Sequence, residues 1–184
     1  MRIALAERDL LDQVKFVRVD VPAGEHKLPA FLAKNPAGAV PVLELDDGTM
    51  IAECSAITEY IDHLDGAPRL TGAGARDRAV VHMMQRRVEA GLLDAVSAYF
   101  HHATPGLGPK IETYQNPEWG EHSRSRAVAT MGHLETVLAD QPFLAGEHFS
   151  VADITAYSGL AFGDFAKIGV PDDCHRLRDW RARA

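Results

Sequence analysis

Two cysteines in 184 residues, Cys54 and Cys174, are too few for a disulfide framework, and they fall in different halves of the chain. A reducing, cytoplasmic setting is the expectation. Long apolar runs are missing as well: none approaches the ~20 residues that a membrane-spanning helix needs. The opening residues, MRIALAERDLL, lack the layout of a signal peptide. No Lys/Arg run suggests a nucleic-acid partner, and 26 acidic against 19 basic residues give a net charge of −7, which argues against one. No H-E-x-x-H or Cys/His grouping suggests a metal. What is present is the composition of a globular protein, in a chain long enough for one ordinary domain or two small ones.

The most informative stretch is NPAGAVPVLELDDGTMIAECSAITEYIDHL, residues 35–64. Asn35-Pro36 and Gly38 are turn residues, because proline fixes φ and glycine tolerates positive φ. Val40, Val42, Leu43 and Leu45 then have the composition of a buried strand. Asp46-Asp47-Gly48 signals a tight turn, and Thr49-Met50-Ile51 reads as the returning strand of a hairpin. Ile57, Tyr60, Ile61 and Leu64 follow at i, i+3, i+4 and i+7, the apolar stripe of a helix, with Glu53-Cys54 at the junction. Pro41 is out of place in a strand interior, since it removes a ladder donor. A cis Val40-Pro41 bond would reconcile it with the strand.

Elsewhere, Ile3, Leu5, Ala6, Leu10 and Leu11 have helical spacing, while Val17, Val19 and Val21 alternate with charges and predict a half-buried strand. The Gly- and Pro-rich residues 66–74 read as a linker. Beyond them, Val81 to Tyr99 repeat at helical steps over nearly thirty residues. A loop broken by glycine and proline spans residues 104–120, and a second helix carries Ala127 to Leu138. Ser150 and Asp153 form a capping box that opens a third.

NPAGAVPVLEL, followed by Glu53-Cys54-Ser55-Ala56-Ile57 and Tyr60-Ile61, resembles the glutathione-binding half of the cytosolic glutathione transferases, bacterial type. In that family a strand reads N-P-x-G-x-V-P-x-L and the next helix opens with E-S-x-A-I; Cys54 stands where Ser is usual. Phe143-Leu144-Ala145-Gly146 through Phe149-Ser150-Val151-Ala152-Asp153-Ile154 resembles the start of the buried helix in the family's C-terminal domain. The resemblance implies an α+β protein: a thioredoxin-like domain over residues 1–65 and an all-helical domain over 75–184. It also implies that Met1–Glu7 correspond to the family's first helix. The strand and the turn that carry the family's Ser, Tyr or Cys catalyst come before that helix, so no catalytic residue is assigned within the chain.

The implied function is conjugation of glutathione, as co-substrate, to a small hydrophobic electrophile, or glutathione-dependent reduction. The alternative is a non-catalytic glutathione- or ligand-binding protein on the same fold. Val40 and Pro41 would pair with the cysteinyl part of glutathione as an added strand does. Glu53 would hold the γ-glutamyl ammonium, and Cys54 with the helix amides the carboxylate; the competing account of Glu53 is a carboxylate that only stabilises its helix. His26 and Lys27 would lie near the glycyl carboxylate, against the account that they are solvated loop charges. Tyr99 and His102 would face the electrophile, against core packing for the ring and solvent for the imidazole. The resemblance further implies a homodimer and a role in detoxification.

Overall fold

A computed structural model describes all 184 residues, Met1–Ala184. The chain divides into two compact units, Met1–Thr71 and Gly72–Ala184. In the first unit, α1 (Arg2–Glu7) is followed by two 3₁₀ turns, Leu11–Gln13 and Glu25–Lys27, and by the short α2 (Pro29–Leu32). Strands β1 (Val42–Glu44) and β2 (Met50–Ala52) form an antiparallel hairpin in the register Val42–Ala52, Leu43–Ile51, Glu44–Met50. Its turn needs positive φ, supplied by Gly48 at 85°, and Asp47 Oδ1 accepts the Thr49 amide at 2.8 Å. The next helix, α3 (Cys54–Asp62), buries Ile57 and Ile61 as the spacing predicts.

The expected strand at Val17–Val21 does not form. Residues 14–20 are irregular, and the sheet holds β1 and β2 alone. Alternating valines mark a strand only where a neighbour offers a ladder. Without one, Val17 stays 76% exposed, and Phe16 is covered on one side by the Arg2 guanidinium, 4.0 Å from its ring centre.

A carboxylate closes the first unit. Asp62 is fully buried, and it accepts from the amides of Arg69 (3.1 Å), Leu70 (2.9 Å) and Thr71 (2.8 Å) and from the Thr71 hydroxyl (2.7 Å). The end of α3 is thereby tied to the segment that follows it. Arg8 Nε lies 3.5 Å from Asp62 without forming a hydrogen bond, because the guanidinium is aimed at Asp65 (2.6 Å) and the Ala67 carbonyl (3.2 Å). Burial pushes the Asp62 carboxyl up, but the Arg69 amide, the Thr71 hydroxyl and amide and the Leu70 amide outweigh it and hold the pKa below the ordinary carboxylate range.

The second unit is helical. Residues 75–103 form one rod, α4 (Ala75–Val88), a π-helical turn (Glu89–Leu93) and α5 (Asp94–Ala103), where sequence spacing predicts an uninterrupted α-helix. The widened turn frees carbonyls that α6 (Pro117–Val137) satisfies: Arg126 donates to Ala90 O (3.1 Å) and Thr130 Oγ1 to Gly91 O (3.0 Å). Gly91 is required there, since a Cβ would come within 2.6 Å of Thr130 Oγ1. The core gathers Val88, Leu92, Val96, Met131, Leu134, Leu160, Leu177 and Trp180.

α7 (Val151–Phe165) opens with the expected capping box. Asp153 does more than cap: besides the Ser150 amide (3.0 Å) and hydroxyl (2.9 Å), it accepts from Leu144 N (2.9 Å) and from Trp180 Nε1 of α8 (His175–Arg183) at 3.1 Å. The first amides of α8 are capped from α6, by Glu135 accepting from Arg176 N (3.2 Å) and Leu177 N (2.9 Å).

Two predictions follow from these buried acceptors. Asp153→Ala leaves the Leu144 and Ser150 amides and the Trp180 indole unpaired inside the second unit, and should cost about 3–5 kcal/mol in urea unfolding. A loss under about 1 kcal/mol would contradict this role. For Asp62, a folded pKa below the unfolded one means stability that is present above the unfolded value of about 3.9 and is lost as pH falls through the folded value. Asp62→Asn should therefore destabilise the first unit by about 2–4 kcal/mol at pH 7, and the difference from wild type should narrow below about pH 4.

Candidate functional site

The Val40–Pro41 bond is cis. Pro41 sits just ahead of the ladder, which begins at Val42, so the missing proline N–H costs the hairpin nothing. The approach to it, residues 35–39, is held by side chains. Asn35, 5% exposed, accepts the Ala37 amide on Oδ1 (3.1 Å) and donates from Nδ2 to Ala39 O (2.8 Å). Gly38 takes φ of 58° and donates its amide to Asn35 O (2.9 Å). Val40 itself is exposed, and its N–H and C=O pair with no other group of the chain.

Glu53 stands between β2 and α3 with φ 67° and ψ 126°. A left-handed backbone at a non-glycine residue costs on the order of 1–3 kcal/mol, and such strain concentrates at functional positions. Its exposed side chain makes no capping bond to α3, although its carbonyl accepts the first-turn Ile57 amide (2.9 Å). Cys54 is the exposed first residue of α3, and its carbonyl accepts from Thr58 Oγ1 at 2.7 Å. Because Val42 pairs with Ala52, Val40 and Glu53 lie at the same end of the hairpin. A pair of unsatisfied backbone groups, an acidic side chain and a helix N-terminus are thus brought together. That set matches an extended zwitterionic peptide, with backbone to pair and both charges at one end.

His26 and Lys27 share a 3₁₀ turn but face different surroundings. The His26 ring is buried with Nδ1 unpartnered, whereas Lys27 sends its ammonium to the Gly38 carbonyl at 3.0 Å. The His26 ring is withdrawn from solvent, while Lys27 stays an exposed residue whose ammonium is engaged by a carbonyl. Sequence reasoning missed Asn35 as a side chain: Asn-Pro reads as a turn, and the spacing to Ala37 and Ala39 does not reveal which groups it bonds.

Tyr99 and His102 lie in the second unit. Tyr99 is half-buried against the helical core, with the Arg124 guanidinium 5.9 Å from its ring centre. The His102 imidazole is half-buried: Nδ1 accepts the Asn116 amide (3.1 Å) and the ring meets Tyr114 edge-on at 6.1 Å. It fastens the loop that follows α5. The same loop is tied down by Gln115, which donates to His101 O and Thr104 O (2.7 Å each), and by Glu112, which pairs with His101 Nδ1 (2.7 Å) and accepts the Leu107 amide (2.8 Å). Burial raises the Glu112 carboxyl, but the Leu107 amide and His101 outweigh it and hold it low. The His101–Glu112 pair escaped sequence reasoning, because eleven residues separate its members and no periodicity links them.

A surface hollow of about 500 Å³ in the second unit is lined by Asp164, Val170, Arg178, Arg181 and Ala182. Arg178 is paired with Asp172 and Arg181 with Asp164, so its arginine charges are already met. No group of three or more His, Cys, Asp or Glu side chains is arranged to hold a metal, and no helix is long and apolar enough to cross a membrane.

Comparison with known proteins identifies the family. Residues 1–64 match the family model for the glutathione S-transferase N-terminal domain, and residues 117–183 the model for the C-terminal domain. The chain is 57% identical over 183 residues to glutathione S-transferase 2 of Saccharomyces cerevisiae, covering 100% of this chain and 78% of that protein. The crystal structure of Gtt2 from the same yeast superposes with a TM-score of 0.97 at 58% identity, over 99% of this chain and 88% of the other. A glutathione S-transferase domain-containing protein of Marinobacter aquaeolei gives 0.97 at 57% identity, over 99% and 89%. The architecture is the one these relatives share, a thioredoxin-like N-terminal part with few strands followed in the chain by a helical part. The chain belongs to the glutathione S-transferase family.

Proposed function

We propose that the first unit binds glutathione at the end of the hairpin that carries Val40 and Glu53. The observation that carries this reading is the unpaired backbone of Val40, beside the cis bond, at the same hairpin end as Glu53 and the start of α3. The cysteinyl residue pairs with the Val40 N–H and C=O as an added strand. The γ-glutamyl carboxylate takes the first-turn amides of α3 and Cys54, and the ammonium takes Glu53. Cys54 in place of serine gives a weaker donor, hence a looser grip on that carboxylate. The glycyl end borders the His26–Lys27 turn.

The reaction is attack of the glutathione thiolate on a small hydrophobic electrophile, or glutathione-dependent reduction. Such catalysis consists of lowering the thiol pKa and aligning the sulfur with its target. Tyr99 and His102 belong to the electrophile side, with His102 acting there by fixing the loop that its imidazole fastens. Membership of the transferase family supports a homodimer working in the cytosol in detoxification.

Calorimetric titration of reduced glutathione into the folded chain tests this reading. Saturable binding is expected, weakened about tenfold or more by Glu53→Ala through loss of a charge-assisted contact. A folded chain that binds no glutathione would overturn it.

A further inference from the structure

Resting on that glutathione reading, we infer that Lys27 is a positioning residue. Its exposed side chain sends the ammonium to the Gly38 carbonyl and so sets the backbone that Val40 offers to the ligand. Residues 35–40 precede the ladder and have no strand partner of their own. Besides the Gly38 amide bond to Asn35 O, three side-chain contacts hold the three residues ahead of Val40: the two Asn35 bonds to Ala37 N and Ala39 O, and the Lys27 Nζ bond to Gly38 O at 3.0 Å. The Gly38 carbonyl accepts no other hydrogen bond in the chain. Of the three, the lysine bond alone carries a full charge, and it fixes the peptide plane just before Ala39 and Val40.

The surroundings of Gly38 are built around that bond. A Cβ there would meet Lys27 Nζ at 2.9 Å, His26 O at 3.0 Å and Leu32 Cδ2 at 3.1 Å, at a φ that disfavours any side chain. The bare glycine lets the lysine close on the main chain. A ligand that pairs as an added strand gains most when the receiving N–H and C=O are already oriented, because ordering them on binding is unfavourable. Lys27 supplies that orientation from outside the loop.

Two ligands separate this role from direct contact. The full chain, wild type and Lys27→Met, is titrated with glutathione and with γ-glutamylcysteine, which lacks the glycyl residue. If Lys27 positions Val40, both ligands weaken by the same factor, about tenfold, and the ratio of their Kd values stays as in wild type. A loss confined to glutathione, or no loss at all, overturns the inference. Failure of wild type to bind either ligand would overturn the glutathione reading itself, and the inference with it, before any variant is compared. Amide hydrogen exchange of the ligand-free chain gives a second readout: Lys27→Met should speed exchange at Gly38 to Val40 while the helices of the second unit keep their protection. Unchanged exchange there would also overturn it.

Discussion

Backbone N–H groups that fall outside helix and ladder are the constraint on which this structure depends. A buried amide without an acceptor costs about as much as a lost hydrogen bond, so each irregular segment needs a partner from elsewhere. This chain meets the need with a few buried or half-buried polar side chains. Asn35 holds 37–39, Asp62 holds 69–71, and Asp153 joins Leu144, Ser150 and Trp180. Glu112 closes the loop after α5 and Glu135 caps α8 across from α6. The apolar core of the second unit supplies bulk stability. These acceptors decide which irregular conformations survive.

That division matters most in the first unit, whose sheet is a single hairpin of three residue pairs. A hairpin alone is marginal in water. Here it is extended at one end by a loop pinned by Asn35 and Lys27, and followed through Glu53 by a helix pinned by Asp62. Val40, Pro41 and Glu53 lie in these two irregular departures, at the cis bond and at the positive φ of Glu53. The open main-chain groups of Val40 stand next to a segment held through Ala37 N, Gly38 N, Gly38 O and Ala39 O.

Much of this was legible in the residues, where a short-range rule applies. The DDG turn, the Ser150–Asp153 box, the amphipathic stripe of α3 and the anomaly of a proline at position 41 each involve partners within a few positions. What was not legible involves partners set by tertiary packing. Alternation at Val17–Val21 predicts a strand but cannot supply a neighbour to pair with. The π turn at Glu89–Leu93 depends on Arg126 and Thr130, some forty residues on. Sequence offers Lys27 and His102 as ligand-site residues but does not reveal that in the folded chain one bonds a loop carbonyl and the other a loop amide. Residue type gave the chemistry available to each, and only the fold says which partner takes it.

The most direct test of the central claim, that glutathione is read by the hairpin end of the first unit, is an amide NMR titration of the ¹⁵N-labelled chain with reduced glutathione. The account predicts saturable shifts that are largest at Val40 and at Cys54 to Ala56, with the Asp62-bonded amides of Leu70 and Thr71 little moved. Shifts confined to residues 72–184, or none in the first unit at saturating ligand, would contradict it.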